Sequence, residues 1–162
     1  MKSKFLLLFS VFVCTLIFNS QAQSTLRGKA VRILDGDTFE LLVNGNATYK
    51  VRLTDIDAPE KGQDFGQVSK QALSDLLKGN DLQVTYDKLD RNNRILGHVY
   101  QGNNYVNLEM VKQGMAWHYK KYSSDERFAR AEYEARQKKR GLWILNAPIA
   151  PWEFRANRRK RS

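Results

Sequence analysis

The stretch from Ala30 to Leu53 most constrains the fold, because β-forming runs there are cut by two turn signals at short spacing. Ala30-Val31-Arg32-Ile33-Leu34 runs into Asp35-Gly36, and Thr38 to Val43 is again rich in β-formers. Asn44-Gly45-Asn46 then separates that run from Thr48 to Leu53. Asp-Gly and Asn-Gly between such runs are turn and hairpin signals. In the last run Tyr49, Val51 and Leu53 alternate with Lys50 and Arg52. Period-two alternation puts Arg52 on the face opposite that trio.

After Pro59 the period changes. Val68, Ala72, Leu73, Leu76 and Leu77 recur at helical spacing, with Gly79 as a C-terminal stop. Leu82 to Tyr86 and Ile95 to Tyr100 read as another strand pair, followed by a turn at Gln101-Gly102-Asn103-Asn104. Val106 to Gln113 reads as a short helix ending at Gly114. Ser124 is an N-cap candidate for a further helix to Arg140, with Asp125 and Glu126 in its first turn and Gly141 as its stop. On that helix Phe128, Ala131, Ala135 and Tyr133 are candidates to face the body. The tail from Arg155 to Arg161 is basic and reads as disordered. Short strands with helices between and after them predict a small α+β domain, and a curled OB-like barrel fits the pattern.

The first 22 residues stand apart from that domain. Lys2 and Lys4 precede an apolar run from Phe5 to Phe18, and Ser20-Gln21-Ala22 supplies the small residues of a cleavage site. This order predicts a secretory signal peptide over 1–22, because the run is shorter than the ~20 apolar residues that span a bilayer. Val13 precedes Cys14 where a lipoprotein signal calls for a small residue. Cys14 is the sole cysteine, so the mature chain is expected to hold neither disulfide nor thiolate metal site. The expected domain then covers 23–153, with a basic tail over 154–162, in a secreted or periplasmic monomer without stable membrane insertion.

The chain carries 27 Lys+Arg against 17 Asp+Glu, a net charge of +10. Without Lys2 and Lys4 the balance is 25 against 17, or +8. Such a chain attracts polyanions such as nucleic acid, anionic lipid or acidic glycans. Charge alone does not choose among them, and a solubility role explains it equally well.

Chemistry enters with three segments. Asp35-Gly36-Asp37-Thr38 places two carboxylates around a glycine; it suits a hard cation, and it equally suits an ordinary turn. Arg52-Leu53-Thr54-Asp55-Ile56-Asp57-Ala58-Pro59-Glu60 brings one cation and further carboxylates into a strand and its exit. Pro59 fixes its own φ and restricts Ala58, which stiffens the link from Asp57 to Glu60. Arg94 follows the turn Asp90-Arg91-Asn92-Asn93 and offers a planar fork to a phosphate, or a solvated strand end. Together they match what phosphodiester hydrolysis asks for. Preplaced cations stabilise charge growing on phosphoryl oxygens, a metal between carboxylates adds a Lewis acid, and a further carboxylate takes a proton from water.

In these motifs the sequence resembles the staphylococcal nuclease (thermonuclease) family. Asn107, Val111-Lys112-Gln113-Gly114-Met115-Ala116, Gly141-Leu142-Trp143 and Pro151-Trp152-Glu153 extend the likeness over nearly all of the mature chain. The resemblance implies a five-stranded OB-fold barrel with three α-helices and a calcium site. It implies Asp37, Asp57 and the Ala58 carbonyl as metal ligands, Glu60 as the residue activating water, and Arg52 and Arg94 as phosphate-binding arginines. It implies hydrolysis of DNA and RNA to 3′-phosphorylated products, with Arg91, Tyr119 and Tyr122 as candidate substrate contacts. Ala58 stands where the staphylococcal enzyme has a threonine, and Asn92-Asn93 where the family has an aromatic that stacks on a base. His98 and His118 lack a ligand partner nearby in sequence, and Trp117, Trp143 and Trp152 read as packing residues. The alternative is a non-catalytic nucleic-acid-binding module of the same fold. Binding needs Arg and Lys, whereas Asp37, Asp57 and Glu60 would repel the phosphate.

Overall fold

The computed structural model describes residues 23–161 other than Asn80, so the 1–22 segment with Cys14 lies outside the described residues. Strands β1 (Ser24–Ile33), β2 (Thr38–Val43) and β3 (Ala47–Leu53) form the antiparallel meander that the turn dipeptides predict. Asn44 and Gly45 both take left-handed backbone at φ 49° and 74°, which Asn and Gly tolerate best. A bulge between Ala30 and Arg32 bends β1, so its first half pairs with β5 (Leu82–Tyr86) as well as with β2. Strand β6 (Ile95–Gln101) runs antiparallel to β5 and parallel to β3, closing five strands into a barrel in the order β1-β2-β3-β6-β5. Closure leaves no long open edge between them.

Alternation works as expected inside the barrel. Phe39, Leu41, Val51, Leu53, Val84 and Val99 are fully buried. Tyr49 shares their parity but sits where β3 outruns the barrel, and it is 39% exposed. Helices seal the barrel: α1 (Gly66–Leu76) buries Leu73, α2 (Val106–Lys112) buries Met110 and Val111, and α3 (Glu126–Gln137) buries Phe128 and Ala135. Each of these side chains except Ala135 stabilises the fold by about 1.5–3 kcal/mol relative to exposure. A short strand β7 (Asn104–Tyr105) leads into α2, and β4 (Ile56–Asp57) pairs with β8 (Trp117–His118) beside the barrel.

Several expectations are corrected. Val68 lies half exposed on the outer side of α1, and Leu73 and Leu77 carry the packing. Asp125, not Ser124, caps α3, accepting from the Arg127 N–H at 2.9 Å. Tyr133 is exposed and Glu132 is buried in its stead. The tail is not disordered: Pro151–Arg161 is a helix, α4, which makes four α-helices among the described residues rather than three. Pro151 suits a first helical turn, and Trp152 stacks on Tyr119 at 5.3 Å. A helix is therefore held to the body where net charge alone argued for none.

Candidate active site

The site lies where β1–β2, β3–β4 and α4 converge, and each brings its charged side chains for a local reason. In the turn before β2, the Asp35 carboxylate accepts from the Asp37 N–H at 3.0 Å, an Asx turn. Gly36 lets this turn press inward: a Cβ there would stand 2.7 Å from the Ser69 Cβ and 2.8 Å from the Ala58 Cβ. Asp37 is thereby buried. Its Oδ1 accepts from the Thr38 hydroxyl at 2.9 Å, and its Oδ2 from the Ala58 N–H at 3.0 Å.

Beyond β3 the chain reverses at Asp55, which takes φ 68°, and Asp57 pairs with Trp117 in the small sheet. Asn107 holds this exit to β6, donating to the carbonyls of Thr54 and Gly97 and accepting from the Val99 N–H. Asp57 is fully buried. Arg52 spans the two carboxylates: Nη1 donates to Asp37 Oδ1, and Nη2 to Asp57 Oδ1 at 2.9 Å. Glu60, three residues past Asp57, is fixed at its N–H by Gln63 Oε1 at 3.0 Å.

Arg155 of α4 completes the cluster. Its Nη1 donates to Asp57 Oδ1 at 3.1 Å and to Glu60 Oε1 at 2.6 Å, and its Nη2 to Asp57 Oδ2 at 2.7 Å. Sequence reasoning missed this residue by leaving it in the tail. The signal available was Trp152 and Phe154, two aromatics just before it.

Negative charge is crowded here. Burial and the neighbouring Asp37 charge push Asp35 up to about 7. Burial raises Asp57 as well, aided by Asp37 and opposed by the two arginines. For Asp37 burial works upward, yet Arg52 and the hydrogen bonds from Ala58 and Thr38 bring it below the usual carboxylate range. Burial works to lower Arg52, but the Asp37 and Asp57 charges carry it above its ordinary value.

The remaining predicted residues lie apart from this cluster. Arg94 is held within its own turn, its Nε bonded to Asp90 Oδ2 at 2.8 Å, so its carboxylate partner is Asp90 and not Asp37 or Asp57. Its strand nonetheless runs beside β3, with Ile95 opposite Val51. Arg91 is exposed at that turn's tip. Tyr119 lines a cavity of about 420 Å³ with Trp117, His118, Lys120, Lys121 and Trp152, while Tyr122 stands edge-on to it and is exposed. His98 bonds the Tyr105 hydroxyl at 2.7 Å, and His118 is buried against Phe128. Trp117 and Trp143 pack edge to face beneath the Arg136 guanidinium.

Among the described residues no group of three or more His, Cys, Asp or Glu side chains stands ready to hold a metal. The Asp37 and Asp57 oxygens are nonetheless hard donors without sulfur or imidazole among them, the set that suits calcium or magnesium. Crowded carboxylates that burial drives upward are also what a divalent cation would relieve. The residues fit such an ion as part of a coordination shell completed by backbone or water oxygen.

Residues 50–145, which hold the Arg52–Glu60 segment, Arg94 and the helices that pack beside them, match the family model described as Staphylococcal nuclease homologue. The chain belongs to that family. Relatives from across this nuclease family include a protein of Haemophilus influenzae named "Uncharacterized endonuclease". It is 49% identical over 127 residues, covering 78% of this chain and 71% of the relative. A protein of the same name from Escherichia coli is 46% identical, over 80% of this chain and 85% of its own length. One from Shigella flexneri named "Micrococcal nuclease" is 43% identical over 151 residues, 86% of each chain. The staphylococcal nuclease match ends before α4, so the helix that delivers Arg155 lies outside it.

Proposed function

We propose that this nuclease-family chain is a secreted, calcium-dependent endonuclease that hydrolyses phosphodiester bonds of DNA and RNA to 3′-phosphorylated products. The observation that carries the reading is Arg52 spanning two buried carboxylates, Asp37 and Asp57, with Glu60 one short loop away. A protein that only bound nucleic acid would have no use for that acidic trio beside a phosphate.

Asp37, Asp57 and the Ala58 carbonyl would hold the calcium ion. Once bound, the ion supplies Lewis-acid stabilisation of charge on the phosphoryl oxygens. Glu60, tethered at its backbone by Gln63, takes a proton from the attacking water. Arg52 donates to an equatorial phosphoryl oxygen, where a preplaced donor is worth about 3–4 kcal/mol. Arg94 brings its Nη1 edge to a second oxygen, Asp90 having taken the Nε and Nη2 edge. The oxygen of water bonds to phosphorus, the bond to the 5′ oxygen breaks, the departing 5′ oxygen takes up a proton from solvent to become a hydroxyl, and phosphate stays on the 3′ side.

The test is incubation of the mature protein with plasmid DNA and with RNA, in calcium or in chelator. Cleavage of both in calcium alone is expected, with 3′-phosphate ends. Substrate left intact in calcium ends this reading.

A further inference from the structure

Arg155 enters the carboxylate cluster from a helix that is anchored independently of it. Trp152 stacks on Tyr119 with the ring planes 1° apart and meets Trp117 edge-on at 5.5 Å. Phe154 lines a cleft with Pro59, Gln63 and Leu142. Gln63 accepts from the Glu60 N–H and donates to the Ile149 carbonyl at 2.7 Å, so one side chain ties the Glu60 loop to the segment entering α4. The guanidinium is therefore delivered by packing, and it is not the accident of a loose tail.

Its hydrogen bonds conflict with metal ligation. Each carboxylate oxygen has about two acceptor sites. Asp57 Oδ1 already accepts from both Arg52 and Arg155, and Oδ2 accepts from Arg155. One acceptor site remains, on Oδ2, so a divalent cation that takes Oδ1 or both oxygens displaces a guanidinium, and one that takes Oδ2 alone stands against the Arg155 charge. Three of the five guanidinium N–H groups are engaged with Asp57 and Glu60, and the side chain is 34% exposed, so an edge remains to meet a ligand.

We propose that Arg155 is a working residue of this site: it keeps Asp57 and Glu60 in place while no divalent cation is bound, leaves Asp57 when one binds, and then donates to the substrate phosphate. The inference rests on the calcium-dependent reading above and adds a guanidinium that α4 supplies.

Calorimetric titration of calcium without nucleic acid, and cleavage of a short oligonucleotide, test it on the full mature chain. Arg155→Gln should bind calcium about tenfold tighter, because a positive charge beside the ligand has gone. Its KM for the oligonucleotide should rise about tenfold with the loss of a charge-assisted hydrogen bond. Arg155→Lys keeps the charge without the fork, so its calcium affinity should stay near wild type while KM rises; it carries the test if the glutamine variant does not fold. Calcium affinity unchanged or weakened in Arg155→Gln overturns the proposal, as does an unchanged KM in both variants. A wild-type protein that neither binds calcium nor cleaves overturns the functional reading with it, whereas calcium binding and cleavage indifferent to Arg155 overturn this inference alone.

Discussion

At the scale of single residues, Arg52 does the most. It is 15% exposed, and it neutralises two carboxylates that are almost wholly buried. Removing one partner from such a pair leaves charge uncompensated in a place water reaches poorly, which typically costs about 3–5 kcal/mol. Arg52→Gln in chelator should therefore lower the urea midpoint by a corresponding amount. Calcium should restore part of the loss, since a cation between Asp37 and Asp57 replaces the missing charge. A variant as stable as wild type in chelator would mean that Arg155 alone compensates the cluster. The same residue also illustrates what alternation can reveal. Period two put Arg52 off the core face of β3, and the structure agrees, but only the fold brings Asp37 from a separate turn onto it.

At the scale of elements, legibility followed apolar periodicity. The barrel strands, α1, α2 and α3 were readable because Phe39, Leu41, Val51, Leu73 and Phe128 mark buried faces at strand or helix spacing. Helix α4 was not, because its attachment rests on aromatic stacking and ion pairs with residues about 30 to 100 positions away. Strands β4 and β8 were also missed, being two residues each and meaningful only as partners. They carry a testable consequence in His118, which pairs with Ile56 and is 3% exposed. Burial pulls its imidazole below the ordinary histidine range, while Glu132 opposes that and Lys120 adds to it. The unfolded chain thus takes up a proton near pH ~6.5 before the folded one does. Stability from this group is complete above that pH and falls as pH drops through it. The loss in unfolding free energy between pH 8 and pH 5 should be smaller in His118→Gln than in wild type. Equal losses would assign the acid sensitivity to other groups.

At the scale of the whole molecule, the excess of basic residues and the site are linked by α4. The helix starts on the Trp117–Tyr119 aromatic surface, puts Arg155 into the carboxylate cluster, and continues outward through exposed Arg159 and Lys160. At 3.6 residues per turn and 1.5 Å of rise per residue, Arg159 stands about one turn and about 6 Å along the axis from Arg155, on the same face. A phosphate chain engaged at the site thus has further cations within its next steps. Ordinary solubility charge would give the same composition, but it would leave binding indifferent to which lysines and arginines are removed. The Glu60→Gln protein separates these, because loss of the carboxylate proposed to activate water should slow cutting about a hundredfold or more while leaving the basic side chains intact. Its affinity for duplex DNA, measured across salt concentrations, should fall linearly in log-log form as counterions are released. Adding Arg159→Gln and Lys160→Gln should flatten that slope by about 0.9 for each phosphate no longer neutralised. Removing Lys78 and Lys112, which pair with Asp75 and Glu109 on α1 and α2, should leave it unchanged. If both pairs of substitutions shift the slope equally, α4 carries no track for the substrate and its cations act only through net charge.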